Sequence, residues 1–356
     1  MKIGILTQSI AGNYGGILQN YALQQVLKSL GHEPVTIDHY KSYSRIRWIM
    51  GRINAFLHRR SVNVPFPWYG RVGEKSILDF SFNNIDRTKS IKVILPEIID
   101  KYGFEVLIVG SDQVWRKKYN KNIETNFLSF AENKKVKRIA YAASFGIDEW
   151  DYPEDLTGRC QELIAKFDAV SVREKSDVVL CRENLNVAPT HVLDPTLLLN
   201  ANHYKKFFKT NMLPVDDYLF AYILDVDDRK RNFVNSMANA MKLKPIIMSA
   251  ENNAKNDDSI EKWLTMIANA SFVITDSYHG TLFSLIFNKE FITINNSNRG
   301  QSRFKSVFEM LKIKERLLLD FKSINIPSPL DWSLVNSILD FKKQESIAFL
   351  SSALNK

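Results

Sequence analysis

The chain has 356 residues, and a single hydrophobic core seldom grows past about 250–300, so two domains are expected. Hydrophobic content of 45% with 24% charged residues excludes a disordered or fibrous chain. A net charge of +9 admits nucleic acid, an anionic membrane surface or a phosphorylated substrate as partner, and Cys160 and Cys181 are too few and too irregularly placed for a disulfide framework or a structural zinc.

In chain order, "KIGILT" (2–7) reads as a buried strand and "QSIAGNYGG" as a glycine-bearing loop. "ILQNYALQQVLKSLG" places Ile17, Leu18, Tyr21, Ala22, Val26, Leu27 and Leu30 at helical spacing, with Gly31 as the stop. "EPVTID" (33–38) is a second strand, so a parallel sheet with a right-handed crossover is expected. From 41 to 75 the alternation breaks into an insertion, where Arg45, Arg47, Arg52, Arg59, Arg60 and Arg71 interleave with Trp48, Ile49, Ile53, Phe56 and Trp68. That stretch either lies on an anionic membrane or packs on the core with its arginines in water.

Further strands are expected at 104–110, 137–144, 169–173 and 190–194, with a polar linker at 200–217. A second set follows at 218–224, 244–249, 271–275 and 291–294, with helices near 229–242, 258–270, 280–287 and 302–312. The tail from 331 is a helix with Asp331 as its N-cap. The fold class is therefore α/β, with two Rossmann-like domains (1–205 and 206–330) and a C-terminal helix (331–356). The first apolar run is too short for a signal peptide, and no run approaches the about 18 residues of a membrane span. A reducing, cytoplasmic setting is expected.

Chemistry in such folds gathers at the C-terminal ends of strands. Gly12, Gly15 and Gly16 permit close approach at a helix N-terminus, which suits an anion or a sugar, or simply a tight turn. Their spacing matches neither the dinucleotide nor the P-loop fingerprint. Asn13, Tyr14, Gly15 and Gln19 would line the mouth as acceptor ligands. Arg173 can hold a carboxylate or phosphate bidentately, or pair with a surface acid. His279, in "TDSYHG", is placed just before a helix; histidine can bind an anion or exchange a proton near neutral pH, or be satisfied by backbone groups. Asp112 in "GSDQVW" is a base or an N-cap, Asp194 in "LDPT" a turn residue, and Asp276 a loop cap. Arg299 and Arg303 either extend a cationic pocket or start a solvated helix.

Six segments in order, "NYGGILQNYALQQVLKSLGHE", "VGSDQVWR", "YAASFG", "SVREKS", "VLDPTLLL" and "DSYHGTLFSLIFNKEF", resemble the polysaccharide pyruvyl transferase family. The resemblance spans about residues 3–290. It implies a GT-B-like fold and transfer of a pyruvyl group from phosphoenolpyruvate to two hydroxyls of a cell-surface glycan or its lipid-linked precursor, as a cyclic ketal. It implies no essential metal and no cofactor beyond the donor. The family's donor-binding arginine falls on Arg173 and its active-site histidine on His279. Some members carry Arg-Leu-His where this chain has Ser277, Tyr278 and His279. Arg299 or Arg303 would then replace the missing arginine, or the donor differs.

On this reading Arg173 clamps the donor, with Ser277, Tyr278, Arg299 and Arg303 beside it. His279 pairs with phosphate or gives the proton, and Asp112 is the acceptor's base. Partners would be phosphoenolpyruvate, a glycan acceptor, an anionic membrane and a second copy of the chain. A GT-B glycosyltransferase using a nucleotide-sugar is the alternative. Nucleic-acid binding has only the charge in its favour, since no recognition motif is present.

Overall fold

The computed structural model describes residues 1–10, 13–39, 75–249, 258–296, 300–321 and 324–355. The basic–aromatic insertion, Gly12 and Arg299 lie outside the described residues.

The first half runs β1 (Lys2–Leu6), α1 (Tyr14–Ser29), β2 (Glu33–Thr36), α2 (Lys75–Asn84), α3 (Glu97–Tyr102), β3 (Val106–Val109), β4 (Lys137–Ala143), α4 (Glu154–Ile164), β5 (Ala169–Val172), α5 (Lys175–Leu185) and β6 (Thr190–His191). Its strands pair in parallel in the order β2-β1-β3-β4-β5-β6. Continuous apolar runs such as "VLIV" in β3 are buried at every position, as a sheet covered on both faces requires.

The second half runs α6 (Ala201–Lys205), β7 (Tyr218–Ile223), α7 (Asp228–Ala240), β8 (Lys244–Ser249), α8 (Ile260–Asn269), β9 (Phe272–Thr275), α9 (Tyr278–Ile286), β10 (Phe291–Ile294), α10 (Ser302–Leu311), β11 (Leu317–Leu318) and α11 (Trp332–Asn355). The second sheet is also parallel, in the order β11-β10-β9-β7-β8.

Two details differ from the sequence expectation. β11 is a two-residue edge strand, too short to show a period. α9 begins at Tyr278 rather than 280, because Ser277 Oγ accepts from the Gly280 N–H at 3.3 Å and caps the helix. His279 therefore stands in the helix's first turn, not ahead of it.

The halves share a continuous core. Ile17, Leu18 and Tyr21 of α1 belong to one apolar cluster with Trp263 of α8 and Phe283 of α9. Tyr14 bolts the halves together: its hydroxyl donates to Asp258 O at 2.8 Å, and its ring stacks on Tyr222 at 6.1 Å. α11, capped by Asp331 as expected, returns across the first half. There Leu193 N–H donates to Ser346 Oγ at 3.0 Å, and Lys137 Nζ to Leu354 O at 2.8 Å. Among the described residues no helix is long and apolar enough to cross a membrane.

Tyr14→Phe removes only the bridging hydrogen bond and is expected to cost about 1 kcal/mol. Tyr14→Ala also removes the ring and should cost about 3–5 kcal/mol. Urea denaturation midpoints check the ordering. Equal midpoints would show that ring packing does not hold the halves.

Candidate active site

The C-terminal edges of the two sheets face one another across a cavity of about 400 Å³. The loops after β1, β3, β7 and β9 all reach it. So do the first turns of three helices: Gly15 and Gly16 of α1, Tyr278 and His279 of α9, and Arg303 of α10. A helix N-terminus presents unsatisfied N–H groups and the positive end of its dipole. No side chain caps α1 or α10, so both leave these donors for a ligand.

His279 crosses the gap. A Cβ placed on Gly15 would stand 1.9 Å from His279 Nδ1, so only glycine lets the imidazole rest on the start of α1. Nε2, itself buried, lies 3.6 Å from Asp194 Oδ2. That same oxygen receives Arg173 Nη1 at 2.9 Å. Asp194 does make the expected turn, since Oδ1 accepts from Thr196 N at 2.9 Å and from its hydroxyl at 2.7 Å. Its other oxygen joins the site. Burial alone would raise its carboxyl; His279, Arg173 and Thr196 outweigh this and hold it well below the usual carboxylate range. The turn motif "DPT" gave no sign of which oxygen was free, and this role was missed.

Arg173 is not an open clamp. Its side chain is fully buried, and its Nε donates to Glu174 Oε1 at 2.8 Å. With Asp194 and, at 3.7 Å, Asp112 Oδ1, three carboxylates surround one guanidinium. Burial would lower its pKa, but these charges raise it well above the ordinary value. It lies behind the cavity wall and touches it through Tyr278, whose ring is 4.8 Å from Arg173 Cζ and 5.2 Å from Arg303 Cζ. Arg173 thus orders Asp194, Asp112 and Tyr278, while Arg303 lines the cavity directly. Burial and then the Arg173 charge lower the Arg303 guanidinium, which favours an anion beside it.

Behind Arg173 lies a second acid. Burial and then the Glu174 charge push the Asp177 carboxyl well above the usual range, whereas Arg173 keeps Glu174 ionised despite its burial. Glu174 Oε2 and Asp177 Oδ1 are both buried without a donor, and a proton on Asp177 relieves the repulsion between the two carboxyls.

Asp112 lines the cavity with backbone φ of 72° and begins no helix, so it is not an N-cap. Asp276 is an anchor: it accepts from Leu224 N at 2.6 Å, Lys230 Nζ at 2.8 Å and Asn296 Nδ2 at 3.1 Å. Asn13, Gly15, Ser277 and Tyr278 line the cavity as expected of site residues. Tyr14 and Gln19 do not. Tyr14 is the interdomain bolt. Gln19 is fully buried, donating to Thr7 Oγ1 at 2.9 Å and Gly16 O at 3.0 Å and accepting from Ser111 N at 3.2 Å. It shapes the two loops rather than meeting a ligand. Among the described residues no group of three His, Cys, Asp or Glu side chains is placed to hold a metal ion.

Arg173→Ala should therefore destabilise the fold by about 3–5 kcal/mol, because it strands buried carboxylates. Asp177 works the other way. Its folded pKa is raised, so its contribution is complete below the unfolded value near 3.9 and declines as pH rises, by about 1.4 kcal/mol per unit. Asp177→Asn should abolish this decline, and its advantage over the parent should grow as pH rises above the unfolded value until the folded Asp177 ionises. Denaturation across pH checks both, and a pH-independent difference would place the proton elsewhere.

A family model described as "Polysaccharide pyruvyl transferase" matches residues 13–298. No curated protein matches. Among solved structures, the S. aureus MnaA–UDP co-structure aligns with a TM-score of 0.52 at 12% identity, covering 99% of this chain and 91% of that one. The Methanocaldococcus jannaschii UDP-GlcNAc 2-epimerase complex with UDP-GlcNAc and UDP gives 0.48 at 14% identity, over 96% and 99% of the two chains. At 12% identity the likeness to the S. aureus structure is one of fold, two parallel sheets facing a cleft in the GT-B manner. The match over residues 13–298 covers His279, Asp194, Arg173 and Asp112 together, and the chain belongs to the polysaccharide pyruvyl transferase family.

Proposed function

We propose that the enzyme moves a pyruvyl group from phosphoenolpyruvate onto two hydroxyls of one sugar in a polysaccharide or its precursor, forming a cyclic ketal. The observation that carries this reading is the placement of carboxylate-backed His279 where the first turns of α1 and α9 meet. Phosphoenolpyruvate brings a phosphate, a carboxylate and an enol carbon that must be protonated. The uncapped N–H groups of α1 and α10, with Arg303, receive its charge. Asp194 holds the Nε2 side of the ring, so Nδ1 exchanges the proton.

Proton transfer from His279 to the methylene makes it a methyl group and leaves an oxocarbenium centre. A sugar hydroxyl attacks that centre and gives its proton to Asp112. The second hydroxyl then displaces phosphate by breaking the C–O bond; the phosphate leaves with the proton held by Asp112, and the second hydroxyl's proton restores His279 through solvent. Arg173 acts through Asp194 and Tyr278 rather than on the donor. A lipid-linked acceptor would bring the enzyme to the inner face of the membrane, where residues 45–71 would meet anionic headgroups; pelleting with anionic and with neutral liposomes reads this.

Incubation with phosphoenolpyruvate and a panel of glycans, read by mass spectrometry and phosphate release, should give one pyruvyl ketal per phosphate freed. His279→Ala is expected to lose about 10²–10⁴-fold in kcat. Asp194→Asn should lower kcat while the KM for phosphoenolpyruvate changes little. Near-parental rates in His279→Ala would remove it from the chemistry. Thermal stabilisation by UDP- or GDP-sugars, with none by phosphoenolpyruvate, would favour a nucleotide-sugar glycosyltransferase instead.

A further inference from the structure

Arg303 belongs to the second half of the chain, yet what holds its helix against the cavity comes from the first. α10 packs on α5, and Ser306, one turn after Arg303, is buried at that junction. Residues three apart lie on one face of a helix, so whatever fixes Ser306 also fixes where Arg303 stands.

Ser306 Oγ accepts from the Lys175 N–H at 3.1 Å. Lys175 opens α5, whose own N-cap residue, Glu174, makes no side-chain cap. The hydroxyl on α10 therefore meets, from the other half of the molecule, one of the N–H groups that a helix start leaves without an internal partner. His191, at the end of β6, completes the junction. Its Nε2 lies 3.1 Å from Arg173 O and 3.3 Å from Ser306 Oγ. A carbonyl oxygen can only accept, so Nε2 carries the hydrogen and points it at both oxygens. His191 thereby joins the backbone of Arg173, whose side chain orders Asp194, to the helix that carries Arg303.

A second contact restrains the same helix ahead of its first turn. Arg116 Nη1 donates to Gly146 O at 2.6 Å, and Gly300 approaches that carbonyl so closely that a Cβ would stand 2.3 Å from it. A helix held at one point can turn about its axis, whereas one held at Gly300 and again at Ser306 cannot. The first turn of α10 has no side-chain cap, so its N–H groups and Arg303 take their aim from these two contacts.

We infer that Ser306 and His191 are positioning residues for the anion-binding side of the cavity. Neither lines the cavity; they act by setting Arg303 and the first turn of α10 against the donor's negative charge. The inference rests on the pyruvyl-transfer reading for the identity of that donor, though not for the placement of Arg303.

The test uses the full chain carrying Ser306→Ala, His191→Leu or His191→Gln, the last of which keeps an N–H donor near the Nε2 position. Calorimetric titration with phosphoenolpyruvate reads donor binding without turnover, the product assay separates KM from kcat, and crystal structures of the variants read Arg303. Ser306→Ala and His191→Leu should each weaken phosphoenolpyruvate binding and raise its KM about 10-fold, with kcat at saturation within about 3-fold of the parent. In both, Arg303 should leave its place 5.2 Å from the Tyr278 ring. His191→Gln should recover the parental affinity. Lys137→Met removes a different bond between the halves, at the opposite edge of the first sheet, and should lower stability without changing the affinity. Parental affinity in both Ser306→Ala and His191→Leu, an unmoved Arg303, no recovery in His191→Gln, or an equal loss in Lys137→Met would overturn the inference. A parent that binds no phosphoenolpyruvate, with Arg303 still displaced in Ser306→Ala, would support the positioning role and remove the pyruvyl reading alone.

Discussion

A single carboxylate oxygen sits where the two halves of the molecule need each other. Asp194 Oδ2 takes Arg173 Nη1 at 2.9 Å from the first half and faces His279 Nε2 at 3.6 Å from the second. Buried charges are tolerated only when paired, and each member here would be costly without the others. Arg173 neutralises Asp194 and Glu174, burial and the Glu174 charge keep the proton on Asp177, and Asp194 faces one side of the imidazole. The arrangement therefore specifies one geometry at the cavity and leaves His279 Nδ1 toward α1.

Packing enforces the same geometry. Gly15 admits the ring, Tyr14 ties α1 to Asp258, and Gln19 joins the loops that follow β1 and β3. On the other rim a Cβ on Gly300, whose φ is +90°, would come within 2.3 Å of Gly146 O, so the halves meet there backbone to backbone. Chemistry that needs groups from both sheets is thus assembled by contacts that the core already requires. The same neighbours that bury Arg173 also set it behind the cavity wall, whereas Arg303 and the uncapped first turns of α1 and α10 face the cavity.

Much of the architecture was legible in the sequence, because buried parallel strands appear as short apolar runs and their helices carry a regular apolar period. The strand-end rule located the loops after β1, β3 and β9, which line the cavity; the loop after β5 sets Arg173 behind its wall, and the loop after β7 gave no signal. Other features were hidden for physical reasons. Asp194 looks like a turn residue because one of its oxygens is one, and nothing local reports the second. Gln19 looks like a mouth residue because polar side chains near a glycine loop are usually exposed, whereas here three hydrogen bonds bury it. Arg173 reads from sequence as a clamp or a surface ion pair, yet it is buried with Asp112 and Asp194 from two other strand ends and with Glu174, the next residue.

The most direct test of the account is a crystal structure of the protein with phosphoenolpyruvate bound. The account predicts phosphate and carboxylate at the first turns of α1 and α10, with the enol methylene facing His279 Nδ1 and Arg173 still paired to Asp194. A donor held away from His279, or Arg173 swung out of its carboxylates to grip the phosphate, would contradict it.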